Sequence, residues 1–306
     1  MYVYFARRIL QALLILLGVS FITFILLYLV PADPARQIAG RSATAATVSN
    51  IRSQLGLDLP FYEQYSRYLF NLLQGDFGRS YLQKSEVGEL IAARLPASLL
   101  LMFAAITAEV VFGVTIGIIA AVKRNSIVDK FLMIMSFVGV SAPQFVVGIL
   151  LLYVFAVQLA WLPIGGYGEA KHLILPSLTL GILGAGWYSR LMRSALIDVL
   201  QQDYVRTARA KGMPAYRILL RHALPNALLP VIALIGIDIG FLMSGIVVVE
   251  SVFGWPGIGQ LTWQAIQRVD IPIIMGVTLV SACAIVLGNL IADLITPLVD
   301  PRIKLR

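Results

Sequence analysis

Residues 9–30 read ILQALLILLGVSFITFILLYLV, and these 22 residues include no charged side chain. A helix needs about 20 apolar residues to cross the hydrocarbon core of a bilayer, so this run is long enough for one crossing. Arg7 and Arg8 precede it as they would in a signal peptide, but the run is too long for a cleaved hydrophobic region and no small-x-small site follows it. We therefore expect a retained membrane helix that enters from the cytoplasm.

The composition of the whole chain is that of a membrane protein. Of its 306 residues, 59% are hydrophobic and 13% are charged, whereas a soluble domain has roughly a quarter charged residues. The mean hydropathy is +0.85. A soluble enzyme, a disordered chain and a fibrous repeat are excluded on this basis. The net charge of +8 is explained by the cytoplasmic sides of membrane helices and by contact with lipid, and nucleic acid is not an expected partner.

Five further apolar runs follow the first, at residues 99–122, 131–157, 173–191, 227–249 and 273–298. Their continuous apolar character is typical of helices, because barrel strands alternate apolar and polar residues. The run 173–191 is diluted by Ser177, Thr179, Ser189 and Arg190. The basic clusters of the chain nevertheless fall on one side of the membrane only if this run crosses, and short basic loops stay in the cytoplasm. The sequence predicts an all-α protein with six transmembrane helices and both termini in the cytoplasm.

The largest polar stretch, residues 31–95, is expected outside the membrane between the first two helices. It includes apolar residues at helical spacing, namely Phe61, Tyr65, Tyr68, Leu69 and Leu72. This spacing predicts an amphipathic helix that rests at the outer interface. A glycine-punctuated turn, GDFGRSY at residues 75–81, follows it. A folded external cap and a docking surface for an external partner are both compatible with this segment.

The stretch 198–225 is a cytoplasmic loop far longer than a chain reversal needs. Asp198 or Asp203 favours a helix start, basic residues near Lys211 suit the helix end, and Gly212 can adopt the left-handed conformation that terminates a helix. Pro214 can open a second short helix. Ala208 and Ala210 leave room for the backbone of another protein near this elbow. Basic residues alone would favour a helix lying on anionic lipid, but the elbow favours a protein dock.

Three acidic residues interrupt the apolar runs: Glu109, Asp238 and Asp293. A charge at the middle of a bilayer costs from about 2.5 kcal/mol upward, so these side chains should face the bundle or water. They are candidates for a translocation path that meets a substrate ammonium group or a metal cation. The alternative is hydrogen bonding between helices, with Asn289 as one partner for Asp293.

Three smaller features predict packing. Glu250 ends the fifth apolar run, and we expect it to orient the turn GWPG at residues 254–257. Gly113 and Gly117 lie four residues apart, a spacing that allows close helix contact. Pro143 is expected to kink the third crossing.

The loop 198–225 resembles the cytoplasmic loop of the importer permeases of the ATP-binding-cassette (ABC) class. Their pattern is Glu-Ala-Ala, three residues, Gly, nine residues, Ile, one residue and Leu-Pro. This chain has RTA at residues 206–208, then Gly212, His222 and LP at 224–225, all at the same spacing. Arg206 stands at the Glu position and His222 at the Ile position.

Other stretches are similar to the dipeptide, oligopeptide, glutathione and nickel branch of these permeases. They are RTARAKG at 206–212, RHAL at 221–224, GDFG at 75–78, ESVFGWPGIG at 250–259 and DPR at 300–302. Residues 268–272 read RVDIP, where the branch usually has Arg-Asp-Tyr-Pro. Any outer-loop contact made by the missing Arg or Tyr is therefore in doubt for this chain.

The resemblance implies a type I importer permease fold divided into an N-terminal transmembrane helix (1–30), an external segment (31–95) and a permease domain (96–299). It implies a multi-pass protein of the bacterial inner membrane that passes peptides, with glutathione and then nickel as alternatives. The implied partners are a second related permease chain, two ATPase subunits, an external substrate-binding protein and membrane lipid.

The resemblance also implies roles for individual residues. Coupling to an ATPase would fall to Asp203, Arg206, Thr207, Ala208, Arg209, Ala210, Lys211, Gly212 and Pro214. Docking outside would fall to Asp76, Phe77, Gly78, Trp255, Pro256 and Gly257. ATP and magnesium are expected on the partner ATPase subunits, because this chain lacks a G-x-x-x-x-G-K-[ST] phosphate loop.

Two other classes of protein fit the sequence less well. An ATP-independent secondary carrier would be expected to show inverted repeats and broken helices at the midplane, and neither is evident. An intramembrane Ser–His protease needs both groups in the bundle, but the two histidines, His172 and His222, lie in or beside loops. With no H-E-x-x-H motif and with Cys283 as the single cysteine, no resident metal, thiolate cluster or internal disulfide is expected.

Overall fold

A computed structural model describes residues 2–29, 34–40 and 43–299 of the chain, and these residues are mainly helical. Within them the only strand-like pairing is an isolated bridge between Arg79 and Glu86. The helices are α1 (Tyr2–Leu29), α2 (Pro34–Ala39), α3 (Ala45–Gln54), α4 (Phe61–Leu73), α5 (Val87–Val122), α6 (Ile127–Ser141), α7 (Gln144–Leu152), α8 (Ala170–Leu200), α9 (Asp203–Ala210), α10 (Ala215–Ile218), α11 (Leu224–Ala227), α12 (Leu229–Gly245), α13 (Val247–Val252), α14 (Ile258–Arg268) and α15 (Ile271–Val299). Single π-helical segments, Tyr153–Gln158 and Leu219–Ala223, follow α7 and α10.

Several of the described helices are long and apolar enough to cross a membrane. Three qualify alone, over Arg7–Leu26, Val87–Val122 and Ile271–Leu290. Two bent pairs qualify together, namely Ile127–Ser141 with Gln144–Gln158 and Ala215–Ala227 with Leu229–Met243. These five stretches coincide with five of the six apolar runs of the sequence.

The remaining run, 173–191, lies in α8. This helix has 31 residues, about 46 Å of length, but its composition alone does not mark it as a crossing. Its polar residues Ser177, Thr179 and Ser189 are buried inside the bundle, at 9%, 0% and 0% exposure. Ser189 Oγ lies 2.8 Å from Ser136 Oγ of α6. Ser177 and Thr179 donate instead to carbonyl groups of their own helix, those of Ile174 and Leu175. Because these polar groups are buried and hydrogen-bonded, α8 can serve as the sixth crossing.

The third predicted crossing, 131–157, differs from the expected kinked helix. It consists of two helices, α6 and α7 with its π-helical extension, which meet at an angle of 103°. Ala142 between them has an extended backbone (ψ 133°), and Pro143 caps the second helix. A residue before proline avoids the helical conformation, and proline has no N–H to donate. The chain therefore turns at this point, where a kink within a single helix was expected.

Glycines allow α5 and α8 to lie unusually close together. A Cβ at Gly117 would come within 2.7 Å of Met192 Cβ and Ser189 O, and one at Gly113 would collide with Tyr188. From the α8 side, a Cβ at Gly181 would lie 2.6 Å from Ala108 Cβ. The close helix contact predicted from Gly113 and Gly117 is confirmed, and it forms the centre of the bundle.

The predicted amphipathic helix is α4, and its aromatic face packs against α1. Phe24 stacks on Tyr68 with ring centroids 5.6 Å apart, and Phe21 meets Tyr65 edge-on at 5.2 Å. The hydroxyl groups of Ser20 and Tyr65 are 3.0 Å apart. Aromatic pairs of this geometry contribute about 0.5–1.5 kcal/mol beyond their buried area. The first transmembrane helix is thus attached to the rest of the protein partly through the segment that follows it.

Candidate functional site

A cavity of about 350 Å³ lies between α5, α8 and α12, bordered by the turn between α6 and α7. Two of the predicted path acids line it, Glu109 from α5 and Asp238 from α12. They come together because α5 and α8 are in close contact and α12 packs on both. Gly184 of α8 makes room for Glu109, since any Cβ there would overlap the Glu109 carboxyl group.

The two carboxyl groups have different surroundings. Asp238 Oδ2 accepts a hydrogen bond of 2.8 Å from the Tyr188 hydroxyl group. Glu109 is only 3% exposed, and its Oε2 is buried without a hydrogen-bond partner. The Glu109 carboxyl group lies within hydrogen-bond reach of that of Asp238, but ionised carboxylates are both acceptors and cannot satisfy each other.

The third predicted path acid, Asp293, belongs to α15. It lies outside the residues whose side chains the structure describes. Its assignment to a path stays a prediction, and so does its pairing with Asn289. Tyr188 was missed by the sequence reasoning, because a tyrosine within an apolar run has the same pattern as any core aromatic residue.

Glu250 is also buried, at 0% exposure, but its carboxylate is fully engaged. Oε1 accepts a 2.6 Å bond from the Ser98 hydroxyl group, and Oε2 accepts a 2.8 Å bond from the Gln260 backbone N–H. The N–H of Gly259 is a further donor, so the carboxylate lies at the N-terminus of α14, where negative charge is stabilised. A Cβ at Gly257 would overlap this carboxylate. The carboxylate thus holds the start of α14, directly after the turn at 254–257, and the Trp255 N–H donates to the Glu250 backbone carbonyl at 2.8 Å. That the Glu250 side chain orients the turn itself stays a prediction.

Trp255 does not present its side chain on the surface, as the docking hypothesis required. It is 1% exposed, its Nε1 donates a 2.9 Å hydrogen bond to Ala97 O, and its ring meets Tyr167 edge-on at 4.9 Å. Gly257 is buried beside Glu250, and Phe77 packs against the core. Because Trp255 and Gly257 are covered by the protein itself, they are not available to an external partner. Phe77 is only partly buried, and the docking role remains a prediction for Asp76, Phe77, Gly78 and Pro256.

The turn after residues 75–78 is tied to the start of α15 through Asp270. The Ser80 hydroxyl group donates a 2.5 Å bond to Asp270 Oδ2, and the backbone N–H groups of Tyr81 and Leu82 also point to this carboxylate, at 3.4 and 3.3 Å. Asp270 is 1% exposed. Burial and, after it, the charge of Asp270 raise the pKa of the Tyr81 phenol to about 12. Asp270 lies in the stretch 268–272 where the sequence departs from the branch, and it holds the external segment in place.

The predicted coupling loop contains the expected pair of short helices, α9 and α10, with an elbow between them. Gly212 has the left-handed φ of +74° that was predicted. Its N–H donates to Arg209 O at 2.9 Å, and the N–H of Met213 donates to Ala208 O at 3.2 Å. These two bonds form a Schellman motif, which ends α9 and satisfies its last carbonyl groups.

The elbow has a small hydrophobic core of its own. Val205 (0% exposed) and Ala208 (6%) pack with Ile218, and Leu200 and Met213 lie against them. The small size of Ala208 therefore serves contacts inside the chain, and the expectation that it leaves room for another protein was wrong.

The opposite face of α9 is exposed and mostly polar. It presents Asp203, Tyr204, Arg206, Thr207, Arg209, Ala210, Lys211 and, beyond the elbow, Pro214. Asp203 and Arg206 form an ion pair of 3.6 Å at 97% and 75% side-chain exposure, which contributes little to stability in water. The helix is thus anchored on one side and open to contact on the other.

Comparisons with known proteins agree with this architecture. Residues 113–305 match the family described as "Binding-protein-dependent transport system inner membrane component", and residues 1–102 match the corresponding N-terminal family. The "Glutathione transport system permease protein GsiC" of Salmonella paratyphi A is 42% identical over 301 residues, which cover 98% of each chain. The protein of the same name from Escherichia coli K12 is 41% identical over the same share of both chains.

Two solved structures share the fold at lower sequence identity. An inward-facing MetNI methionine ABC transporter aligns with a TM-score of 0.58 at 20% identity, over 69% of this chain and 96% of that chain. An amino acid ABC transporter crystallised with histidines aligns with a TM-score of 0.51 at 20% identity, over 70% and 94% of the two chains.

These similarities extend over nearly the whole chain and agree with its apolar helices, which make it a multi-pass protein of the inner membrane. Its family is a membrane translocation component. The chain therefore belongs to the binding-protein-dependent permeases of ABC importers, in the branch whose members include the glutathione permeases.

Proposed function

We propose that this permease passes small peptides across the inner membrane and that glutathione is the first of them to test. The observation that carries this proposal is the 41–42% identity over 98% of the chain to permeases named for glutathione transport. Glutathione is itself a tripeptide, so these relatives and the peptide substrate expected from the sequence point to one chemical class. Dipeptides and longer peptides are the next candidates, and nickel comes last.

The proposed assembly contains a second related permease chain, two ATPase subunits that bind ATP and magnesium, and an external substrate-binding protein, all in a lipid bilayer. The sidedness of the basic loops supports cytoplasmic termini and a cytoplasmic α9. The polar, exposed face of α9 then meets an ATPase, while the external segment 31–95 faces the binding protein.

The coupling step is proposed to work through the elbow at Gly212. The core of Val205, Ala208 and Ile218 joins α9 to α10, so a displacement of α9 is passed on to the chain that leads into α12. Asp238 is on α12. Movement at the ATPase contact thus changes the position of a residue that lines the cavity.

The substrate proposal is tested by uptake into proteoliposomes. The complete assembly is reconstituted with its binding protein, and uptake of labelled glutathione, a labelled dipeptide and nickel is measured with and without ATP inside. We expect ATP-dependent uptake of glutathione or the dipeptide and none of nickel. Uptake of nickel alone, or uptake of peptide that does not depend on ATP, would contradict the proposal.

The coupling proposal is tested by Gly212→Val with Gly212→Asn as the matched control. Valine in the left-handed conformation costs about 1–2 kcal/mol and should loosen the end of α9, whereas asparagine tolerates it. We expect peptide uptake per ATP hydrolysed to fall several-fold in the valine variant and to stay close to normal in the asparagine variant. An intact complex with unchanged uptake in the valine variant would count against the role of this loop.

A further inference from the structure

The described residues that line the cavity between α5, α8 and α12 include two acidic side chains and no basic one. The acidic side chains are those of Glu109 and Asp238. Two carboxylates this close repel each other strongly in a low-dielectric bundle. A buried charge without a partner is costly, so the pair either shares a proton or takes up a cation.

The hydrogen-bonding groups of the cavity can accept from a donor that the described residues do not supply to Glu109 Oε2. Glu109 is 97% buried and its Oε2 has no partner, although the residue lines the cavity. The Tyr188 hydroxyl group fixes Asp238 through its 2.8 Å bond to Oδ2 and so orients the second carboxylate. A primary ammonium group has three N–H donors and no acceptor, which complements two carboxylates.

The cavity is accessible from an exposed face of the bundle. Trp187 on α8 and Ile237 and Phe241 on α12 border it and are 59%, 60% and 60% exposed. The Trp187 ring already carries the Arg190 guanidinium 4.6 Å from its centroid, so the entrance offers a ligand apolar contact through Ile237 and Phe241. The volume of about 350 Å³ is at the small end of ligand pockets, so it suits one end of a peptide and not a whole chain.

We propose that Glu109 and Asp238, oriented by Tyr188, bind the primary ammonium group of the substrate during its passage. This inference rests on the proposed peptide function and names the part of the substrate that the permease itself recognises. Glu109 and Asp238 are the binding carboxylates, and Tyr188 is a positioning residue. The apolar entrance then contacts the residue that bears the ammonium group.

The test measures binding directly on the permease complex in nanodiscs without the binding protein, so that delivery does not affect the result. The probes are glutathione and N-acetylglutathione, which lacks the ammonium group, at millimolar concentration. The readouts are the shift in unfolding temperature and equilibrium binding. We expect glutathione to bind the native complex at least tenfold more tightly than the acetylated probe. Glu109→Gln and Asp238→Asn should each remove this preference while leaving the complex assembled.

Two controls make the result specific. Glu89→Gln removes an exposed acid from the same helix and should leave the preference unchanged. Tyr188→Phe should weaken glutathione binding less than Asp238→Asn, because it loosens one carboxylate without removing it. Native complex that binds both probes equally, or acid variants that keep the preference, would overturn the inference.

Parallel uptake measurements separate this inference from the proposed function. If the native assembly imports glutathione but shows no preference for the free amino group in the nanodisc assay, the ammonium site is wrong and the peptide function stands. If the native assembly imports no peptide at all, the proposed function itself fails. Loss of complex assembly in both acid variants would also overturn the inference, since it would indicate that a basic residue of another subunit fills the site.

Discussion

Glu250 and Glu109 are both buried glutamates, but the hydrogen bonding around their carboxyl groups differs. Glu250 receives hydrogen bonds from Ser98, Gln260 and Gly259, and Arg94 lies close enough to act on its charge. Glu109 has an unpartnered oxygen and faces a second carboxyl group. A buried acid with saturated hydrogen bonding is part of the architecture. A buried acid left unsatisfied beside a cavity needs an explanation, and the explanation we propose is a bound ligand.

The largest effect on stability is expected for Glu250→Ala. The substitution leaves the Ser98 hydroxyl group and two backbone N–H groups at the start of α14 without an acceptor, each at about 1–3 kcal/mol. We expect a loss of about 3 kcal/mol or more, measured by thermal unfolding of the purified complex in detergent, and a low yield of folded protein. The control Glu89→Ala removes an exposed acid and should change stability little in the same assay. A loss of unfolding free energy below about 1 kcal/mol for Glu250→Ala would contradict the assignment of Glu250 to the architecture and remove its contrast with Glu109.

An intermediate effect is expected for Ser98→Ala. The Ser98 hydroxyl group donates to Glu250 and accepts a 2.9 Å bond from the Ile258 N–H, so its removal breaks two bonds and leaves the carboxylate with its backbone donors. We expect a loss of about 1–2 kcal/mol in the same unfolding measurement. Combining it with Glu250→Ala should add much less than the sum of the two, because the residues form one network. Full additivity would show that they act independently.

The smallest effect on stability is expected for Glu109→Gln. A glutamine amide can donate to Asp238 as a protonated Glu109 would, so stability should be unchanged or higher by less than about 1 kcal/mol. The preference for glutathione over N-acetylglutathione should nevertheless be lost. A clear decrease in unfolding temperature would place Glu109 with Glu250 among the architectural acids.

The membrane crossings could be predicted from the sequence because lipid imposes a length and an apolar composition on each of them. The crossing in α8 could be found only from the charge distribution, since Thr179 and Ser189 make it look polar until their burial is known. The break at Ala142 and Pro143 was expected as a kink, because the size of a bend depends on how the two halves pack and not on the proline alone.

Each acid of the candidate site could be recognised from the sequence, but the contact between the two acids could not be predicted. Glu109 and Asp238 are unusual in apolar runs, whereas their contact depends on the glycine-mediated approach of α5 and α8 and on the space at Gly184. The exposure of side chains in loops could not be predicted from the sequence either. Trp255 lies in a loop but is covered by Tyr167, and Ala208 is covered by the elbow core. Residue type and position in the chain therefore predicted an exposed side chain at two positions that are buried.

The bond between Ser80 and Asp270 has a mechanical consequence. It joins the turn that follows α4 to the residue immediately before α15, and the N–H groups of Tyr81 and Leu82 add to the joint. The bond between Ser80 and Asp270 is short, buried and charge-assisted, and such a bond holds its two partners firmly in place. A displacement of this turn should therefore displace the N-terminus of α15 by the same amount, so that the two segments move as one rigid body.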